Sequence, residues 1–310
     1  MTAALLVVSY GSHDLVEDGL RRTAVPDGTL VVVVDNFTSA AERETMRSMA
    51  DRYGWILLGP GDNLGFGGGM NLAAAEAIAR GATSLVLLNP DAYLEGDGVA
   101  ELDSLIRDHP DAIISPLVVR PDGSHFSSLM EVDLDSGRLR RVQGESRFAR
   151  SELWVSGACV ALSAALWERV GGFDDEYFLY WEDVDLSVRI VKAGGTVKVA
   201  EHVRAVHSPG GTQDTGRAGH ARPAGQRVSG KSPGYYFFNV RNRLVFAAKH
   251  ADLADVRRWR RSALAAAYSI LRRGGRRQFL NPARTVWPAL RGTIAGLRYR
   301  PVASEEGVRR

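Results

Sequence analysis

LVVVVDN, running from Leu30 to Asn36, holds four consecutive valines and no polar residue before its last two positions. It reads as a strand buried on both faces. Working outward, AALLVVSY (Ala3 to Tyr10) has the same character on the N-terminal side. His13 to Arg22 has helical spacing between the two. On the other side come a helix over Ala40 to Tyr53, a third strand WILLG (Trp55 to Gly59), a small-residue helix over Asn71 to Arg80, and a fourth strand SLVLLNPD (Ser84 to Asp91). Apolar strands alternating with helices predict an α/β fold, a mostly parallel Rossmann-like sheet flanked by helices. Such sheets bind ligands at the carboxyl ends of their strands. That places Ser9, Tyr10, Asp35, Asn36, Asn89 and Asp91 along one crevice.

GDNLGFGGGMN precedes the helix at Asn71. Its glycines over Gly65 to Gly69 fit a loop whose amides approach an anion. They fit a tight turn as well, for the P-loop lysine is missing and this is not the first strand–helix turn. Asn63 and Asn71, at its flanks, favour ligand contact. Asn89-Pro90-Asp91 also reads two ways. A carboxylate at a strand end can hold a divalent cation that grips a diphosphate, and all three residue types form turns.

Further along, Glu101 to His109 reads as a helix, Ala112 to Val119 as a strand and Pro121 to Ser124 as a hairpin turn. Glu131 to Arg150 reads as a variable loop or short strand pair. Leu153 to Gly172 gives a strand, a turn and a short helix. GGFDDEYFLYWEDVDLSVRI (Gly171 to Ile190) then sets Asp174, Asp175, Glu176, Glu182, Asp183 and Asp185 among aromatic residues. Acids against aromatic walls suggest a cleft for a hydroxyl-rich ligand such as a sugar. A helix from about Glu182 to Lys192 is expected to put Glu182, Asp185 and Arg189 on one face. Asp183 falls in its first turn, where the helix dipole favours an ionised carboxylate. A capped amphipathic helix with a solvated acidic start explains the same pattern. Thr196 to Ser208 reads as an edge-like strand pair ending at His207, Pro209 to Ser232 as a loop, and Tyr235 to His250 as an aromatic-led helix.

Bulk composition is that of a soluble globular chain, with a hydrophobic fraction of 45% and a charged fraction of 24%. The single cysteine, Cys159, excludes an intramolecular disulfide and fits a reducing cytoplasm. No basic leader precedes Ala3, and no apolar run approaches the roughly 20 residues of a membrane span. The net charge of +3 conceals a split, since 14 arginines face only Glu305 and Glu306 from Arg257 onward. That end reads as two short helices with an apolar stripe of Leu264, Ala267, Tyr268 and Leu271 between arginine clusters. It suits peripheral contact with an anionic membrane through the Arg-rich C-terminus, and equally a solvated helix packed on the body.

These segments together resemble the inverting GT-A glycosyltransferases of family 2, most closely their rhamnosyltransferase-like branch. The likeness covers roughly Leu5 to Asn242. It rests on VSY at Ser9, VVDN at Asp35-Asn36, NLGFGGGMN from Asn63 to Asn71, LLNPDAYL around Asp91, SGACVAL from Ser156 to Leu162, and the Gly171 to Ile190 stretch. The resemblance implies a GT-A domain with its nucleotide-sugar-binding half at 1–115 and its acceptor-binding and catalytic half at 116–250. A basic helical extension at 251–310 follows. It implies a nucleotide-diphospho-sugar donor, dTDP- or UDP-linked, a glycan or lipid-linked acceptor, and Mn2+ or Mg2+. On this likeness Ser9, Tyr10, Asp35, Asn63, Gly65, Asn71, Asn89 and Asp91 lie on the donor side. Asp91 and His207 hold the metal, Asp183 is the catalytic base, Glu182 orients acceptor hydroxyls, and Trp181 and Tyr180 pack on the sugar. The sequence departs from the family's DxD motif in having Asn89 as its first member, and Phe37-Thr38-Ser39 replaces the usual acidic-glycine turn. L-Rhamnose from dTDP-rhamnose is the implied transfer, to a cell-envelope or lipid-linked glycan, at the cytoplasmic face of the membrane.

Three other enzyme or binding classes fit less of the sequence. A nucleotidyltransferase calls for a basic glycine-rich loop after strand one, and no basic residue occurs there until Arg21. A non-catalytic carbohydrate-binding relative is compatible with Asn89. Nucleic-acid binding is favoured only by the arginines, since the aromatics lie mostly elsewhere.

Overall fold

The computed structural model describes residues 2–146, 148–208, 231–273 and 275–301. In chain order the elements begin with β1 (Thr2–Ser9), α1 (His13–Arg22), β2 (Leu30–Asp35), α2 (Ala40–Tyr53), β3 (Ile56–Leu58), α3 (Gly65–Ala79), β4 (Ala82–Leu88) and β5 (Ala92–Leu94). Next come α4 (Gly98–Asp108), β6 (Ala112–Val119), β7 (His125–Ser127), β8 (Met130–Asp133), β9 (Leu139–Arg141), β10 (Ser151–Trp154), β11 (Cys159–Ser163), α5 (Ala164–Val170), α6 (Glu182–Lys192) and β12 (Thr196–His207). The C-terminal part holds α7 (Pro233–His250), α8 (Leu253–Arg261), α9 (Ala263–Arg273), a 3-10 turn (Arg276–Leu280) and α10 (Val286–Arg298).

The main sheet runs β3-β2-β1-β4-β11-β6-β12-β5, with β7 beside β6. β1, β2, β3 and β4 are mutually parallel, as their apolar runs predict. Because side chains alternate along a strand, each run divides between two cores. Leu5, Val7, Val33, Val86 and Leu88 face one helical layer, and Leu6, Val8, Val32, Val34, Leu85 and Leu87 face the other. β11 is antiparallel to both β4 and β6, and β12 is parallel to β6. β12 therefore runs in the same direction as β4, and its carboxyl end at His207 emerges on the edge that carries Ser9 and Asp35.

Three elements differ from the sequence reading. Thr196–His207 is one long strand and not a pair. It keeps register with β6 as far as Ala200↔Pro116 and resumes it at Arg204↔Leu117. Pro116 has no N–H for the ladder, so the bulge falls where pairing has least to lose. The Gly65 to Gly69 cluster is neither a loop nor a tight turn but the opening of α3. A Cβ on Gly65 would lie 2.2 Å from the Phe178 carbonyl oxygen, and one on Gly69 would lie 2.8 Å from Val8 Cγ1. Glycine is tolerated in this helix, despite its poor propensity, because strand and loop approach too closely for a side chain. In the C-terminal stripe, Ala267 and Leu271 are buried while Leu264 and Tyr268 are exposed. The 131–150 segment does contain a strand pair, β8 with β9. Most of the loop expected over Pro209 to Ser232 lies outside the described residues.

Two compact units emerge. One takes residues 1–132, 139–147 and 152–228, and the other takes 133–138, 148–151 and 229–310. In the second, α7 packs with α9 and α10 around Tyr236, Val240, Ile270 and Ala289. Trp259 donates from Nε1 to the Leu134 carbonyl at 2.8 Å, and Arg243 donates to the Ser136 carbonyl at 2.6 Å. Burial pushes the Arg243 guanidinium down to about 10.

Candidate active site

The carboxyl ends of β1 and β2 meet at the pair Ser9↔Asp35. Ser9 Oγ lies 3.2 Å from Ser12 Oγ, while Tyr10 beside it is 44% exposed. Asp35 is fully buried, and Arg43 Nε donates to its Oδ2 at 2.8 Å. The same guanidinium donates to the Pro60 carbonyl at 2.6 Å. Asp35 Oδ1 is buried without a partner and is free to accept a hydrogen bond from a ligand. Asn36, also buried, locks the start of α3 to this strand end. Its Nδ2 donates to the Gly65 carbonyl at 2.7 Å, and its Oδ1 accepts from Leu64 N at 2.9 Å. Asn63 Oδ1 accepts from Gly65 N at 2.9 Å.

The end of β4 is a turn closed by Ala92 N donating to the Asn89 carbonyl at 3.1 Å. The turn and ligand readings of Asn89-Pro90-Asp91 are thus compatible, because the turn delivers Asp91 to the head of β5. β5 pairs with β12 through Ala92↔His207, and Ser208 N donates to the Asp91 carbonyl at 2.9 Å. The result is a buried contact of His207 Nε2 with Asp91 Oδ1 at 3.0 Å. The Phe126 ring meets the imidazole edge-on at 4.5 Å. His207 Nδ1 is buried without a partner. Asp91 Oδ1 and His207 Nε2, buried side by side, are donors of the kinds a divalent cation takes, and such a cation would need its further ligands from outside the protein. Among the described residues no group of three or more His, Cys, Asp or Glu side chains gathers to hold one alone.

In the Gly171 to Ile190 stretch the structure sorts the acids. Asp174 Oδ1 accepts from Glu176 N at 2.9 Å, within its own loop. Asn71 fixes that loop to α3. Its Oδ1 accepts from Phe173 N at 2.8 Å, and its Nδ2 donates to the Phe173 carbonyl at 2.8 Å and to Asp175 at 3.1 Å. Asp185 is paired with Arg189 at 2.7 Å. Glu176 is half-buried in the same loop, and of the two acids that open α6, Glu182 and Asp183, neither has a cationic partner among the described residues. Tyr180 and Trp181 lead into them with φ of 67° and 76°. Two consecutive aromatic residues in the left-handed region are strained, a feature that clusters at working sites.

Asp183 Oδ1 accepts from Val184 N at 2.8 Å, and its Oδ2 accepts from Gly157 N at 3.0 Å. The next residue, Ala158, accepts from Asn89 N at 3.0 Å. Two successive hydrogen bonds therefore tie Asp183 to the strand end that presents Asn89 and Asp91. Burial raises the Asp183 pKa despite these donors. Glu182 is buried, its Oε2 has no partner, and its pKa is raised well above the usual range by burial and then by the charge of Asp183. The aromatic residues do not form the expected open wall. Phe173, Tyr177, Trp167 and Trp181 are all core residues, with Trp181, expected to pack on a sugar, only 4% exposed. Tyr180 is half-buried. Sequence reasoning passed over Arg43 and the Gly157 amide. Asp35 ends β2 and Arg43 lies on α2, so no periodic spacing links them in the sequence, and a backbone donor leaves no signal either.

The mostly parallel α/β sheet, with its polar strand ends on one edge, is the fold of the GT-A glycosyltransferases. The sequence pattern described as "Glycosyltransferase like family 2" matches residues 2–226, and the chain belongs to that family. The N-acetylglucosaminyl-diphospho-decaprenol L-rhamnosyltransferase of Mycobacterium tuberculosis is 30% identical over 191 residues, which are 53% of this chain and 61% of that protein. The dTDP-rhamnosyl transferase RfbF of Shigella flexneri is 23% identical over 222 residues, 71% of each chain. The chain thus spans about three fifths of the mycobacterial relative. Among solved structures, GalNAc-T7 with UDP, GalNAc and Mn2+ superposes with a TM-score of 0.58 at 14% identity, over 85% of this chain and 55% of that one. The mannosyltransferase of Pyrobaculum calidifontis with GDP-Man and Mn2+ gives 0.51 at 17% identity, over 95% and 85%. These two share the fold.

Proposed function

We propose that this chain transfers a sugar, L-rhamnose from dTDP-rhamnose, to a hydroxyl of a cell-envelope or lipid-linked glycan, with inversion at the anomeric carbon. The observation that carries the reading is the two-bond link from Asp183 through Gly157 and Ala158 to Asn89. It supports a base candidate and a diphosphate-side carboxylate acting on one substrate. An acceptor hydroxyl is a weak nucleophile near neutral pH, so Asp183 takes its proton as the oxygen attacks. The raised pKa makes Asp183 a better base than an ordinary aspartate. Glu182, whose neutral form burial favours, has an unpartnered oxygen with which to orient the acceptor. Ser9, Asp35 and Asn63 hold the nucleoside, with Asp35 Oδ1 as the free acceptor. Tyr10, Gly65 and Asn89 complete the donor side, and Asn71 acts there by holding the 172–175 loop. A divalent cation, Mn2+ or Mg2+, bound at Asp91 and His207 would neutralise charge growing on the departing diphosphate. The mycobacterial and Shigella relatives support rhamnose, and the mycobacterial one supports a lipid-linked acceptor. The reaction belongs on the cytoplasmic side, where nucleotide sugars are made. No helix among the described residues is long and apolar enough to cross a membrane.

The test is a panel of dTDP-, UDP- and GDP-sugars incubated with candidate acceptors, reading released nucleoside diphosphate and the anomeric configuration of the product by NMR. dTDP-rhamnose with Mn2+ should give the fastest release and an inverted product. A retained configuration would overturn the single displacement, and binding without release from any donor would favour a carbohydrate-binding relative.

A further inference from the structure

The C-terminal helical unit leaves large apolar side chains outside its own core. On α9, Ala263, Ala267, Ile270 and Leu271 are buried, whereas Leu264 is 67% and Tyr268 is 54% exposed. α10 buries Ala289, Gly292, Thr293 and Gly296, small residues that let it close on α7. At helical spacing on its other side stand Trp287, 58% exposed, then Leu290 and Ile294. In the turn between these helices Leu280 is 83% exposed. Both helices direct their buried residues toward α7, so these side chains lie on the side away from it.

Arginines are interleaved with them. Arg272, Arg273, Arg276, Arg284, Arg291 and Arg298 are all exposed. No Asp or Glu occurs between Asp255 and Glu305 to balance them along the chain. A surface of unmatched arginines calls for an anionic partner. Phosphates of nucleic acid would satisfy the charge but leave Leu280, Ile294 and Leu264 in water, since the electrostatic term supplies such binding. A lipid surface satisfies both, with guanidinium groups at the headgroups and apolar tips below them.

We propose that the face formed by α9, α10 and the turn between them docks on an anionic phospholipid bilayer. This face includes none of the residues assigned to sugar transfer, and its test needs neither donor nor acceptor. The full chain is sedimented with phosphatidylcholine vesicles with and without phosphatidylglycerol. Binding should require phosphatidylglycerol and weaken as salt rises. The double variant Arg284→Gln/Arg291→Gln should lose about 30-fold in affinity, near fivefold for each arginine at the surface. Leu280→Ala/Trp287→Ala should lose about tenfold, as inserted apolar area is removed. Trp287 is the one exposed tryptophan of the six, so anionic vesicles should also shield the protein's fluorescence from iodide. Circular dichroism checks that each variant is folded. Equal binding to neutral vesicles, no vesicle binding by the wild-type chain, or a folded arginine variant that binds undiminished would each overturn the proposal. So would an oligonucleotide that binds tightly while vesicles do not.

Discussion

The end of β2 and the start of α6 both bury carboxylates and treat them in opposite ways. Asp35 has Arg43 against one oxygen, and that guanidinium also ties down the neighbouring backbone. Glu182 and Asp183 sit side by side with backbone amides for company and no cation among the described residues. α6 supplies its own contrast one turn on, where Asp185 is matched by Arg189. Removing a charge from water is costly unless a partner accompanies it. That Asp35 and Asp185 are paired while Glu182 and Asp183 are left uncompensated is what the proposed catalytic role of the second pair explains.

The largest expected effect removes the uncompensated charge. Asp183→Asn should lower turnover about 10³-fold while calorimetry finds donor affinity within about twofold of wild type. In the wild type, the rate should fall as pH drops through the Asp183 pKa, which burial sets above the ordinary aspartate value of roughly 3.9. Turnover that survives the substitution would erase the distinction between the two regions.

The compensated side is broken by Arg189→Ala. It leaves Asp185 buried and removes the donors to the Val170 and Gly172 carbonyls. Urea unfolding should register a loss of about 3 kcal/mol. A negligible loss would mean that the pairing does not explain why Asp185 can be buried.

Gly65→Ala tests the packing beneath both. At φ of 76°, with a Cβ directed at the Phe178 carbonyl, alanine should cost about 2 kcal/mol in the same assay. The smallest effect is a gain. Glu182 has its folded-state pKa raised, so its contribution to stability is present below its unfolded value and lost as pH rises through the folded one. Glu182→Gln should therefore raise the Tm by a few degrees at neutral pH, and the advantage should vanish below about pH 4. An advantage that persists in acid would point to packing instead of charge.

How much of this was legible beforehand varies from element to element. The α6 boundaries could be read because an acidic start, a valine stripe and terminal glycines are local signals. The Asp91 and His207 pairing needed the β5–β12 contact, which joins residues 116 apart in the chain. The glycines of α3 misled because propensity argues against a helix there, and only the approach of Phe178 and Val8 explains them. The aromatics misled for a related reason. A ring in a sequence looks the same whether it walls a cleft or fills a core, and Phe173 and Trp181 fill the core.

Taken alone, the amino-acid order determined what is periodic or contiguous: the buried parallel strands, the helices between them, the polar residues at strand ends and the arginine excess of the last helices. Only tertiary structure decided which acids have cations, which glycines are helical, and that the Gly157 amide reaches Asp183. The physical reason is range. Backbone periodicity and charge composition are set within a few residues, whereas burial, compensation and close approach depend on segments that the sequence leaves far apart.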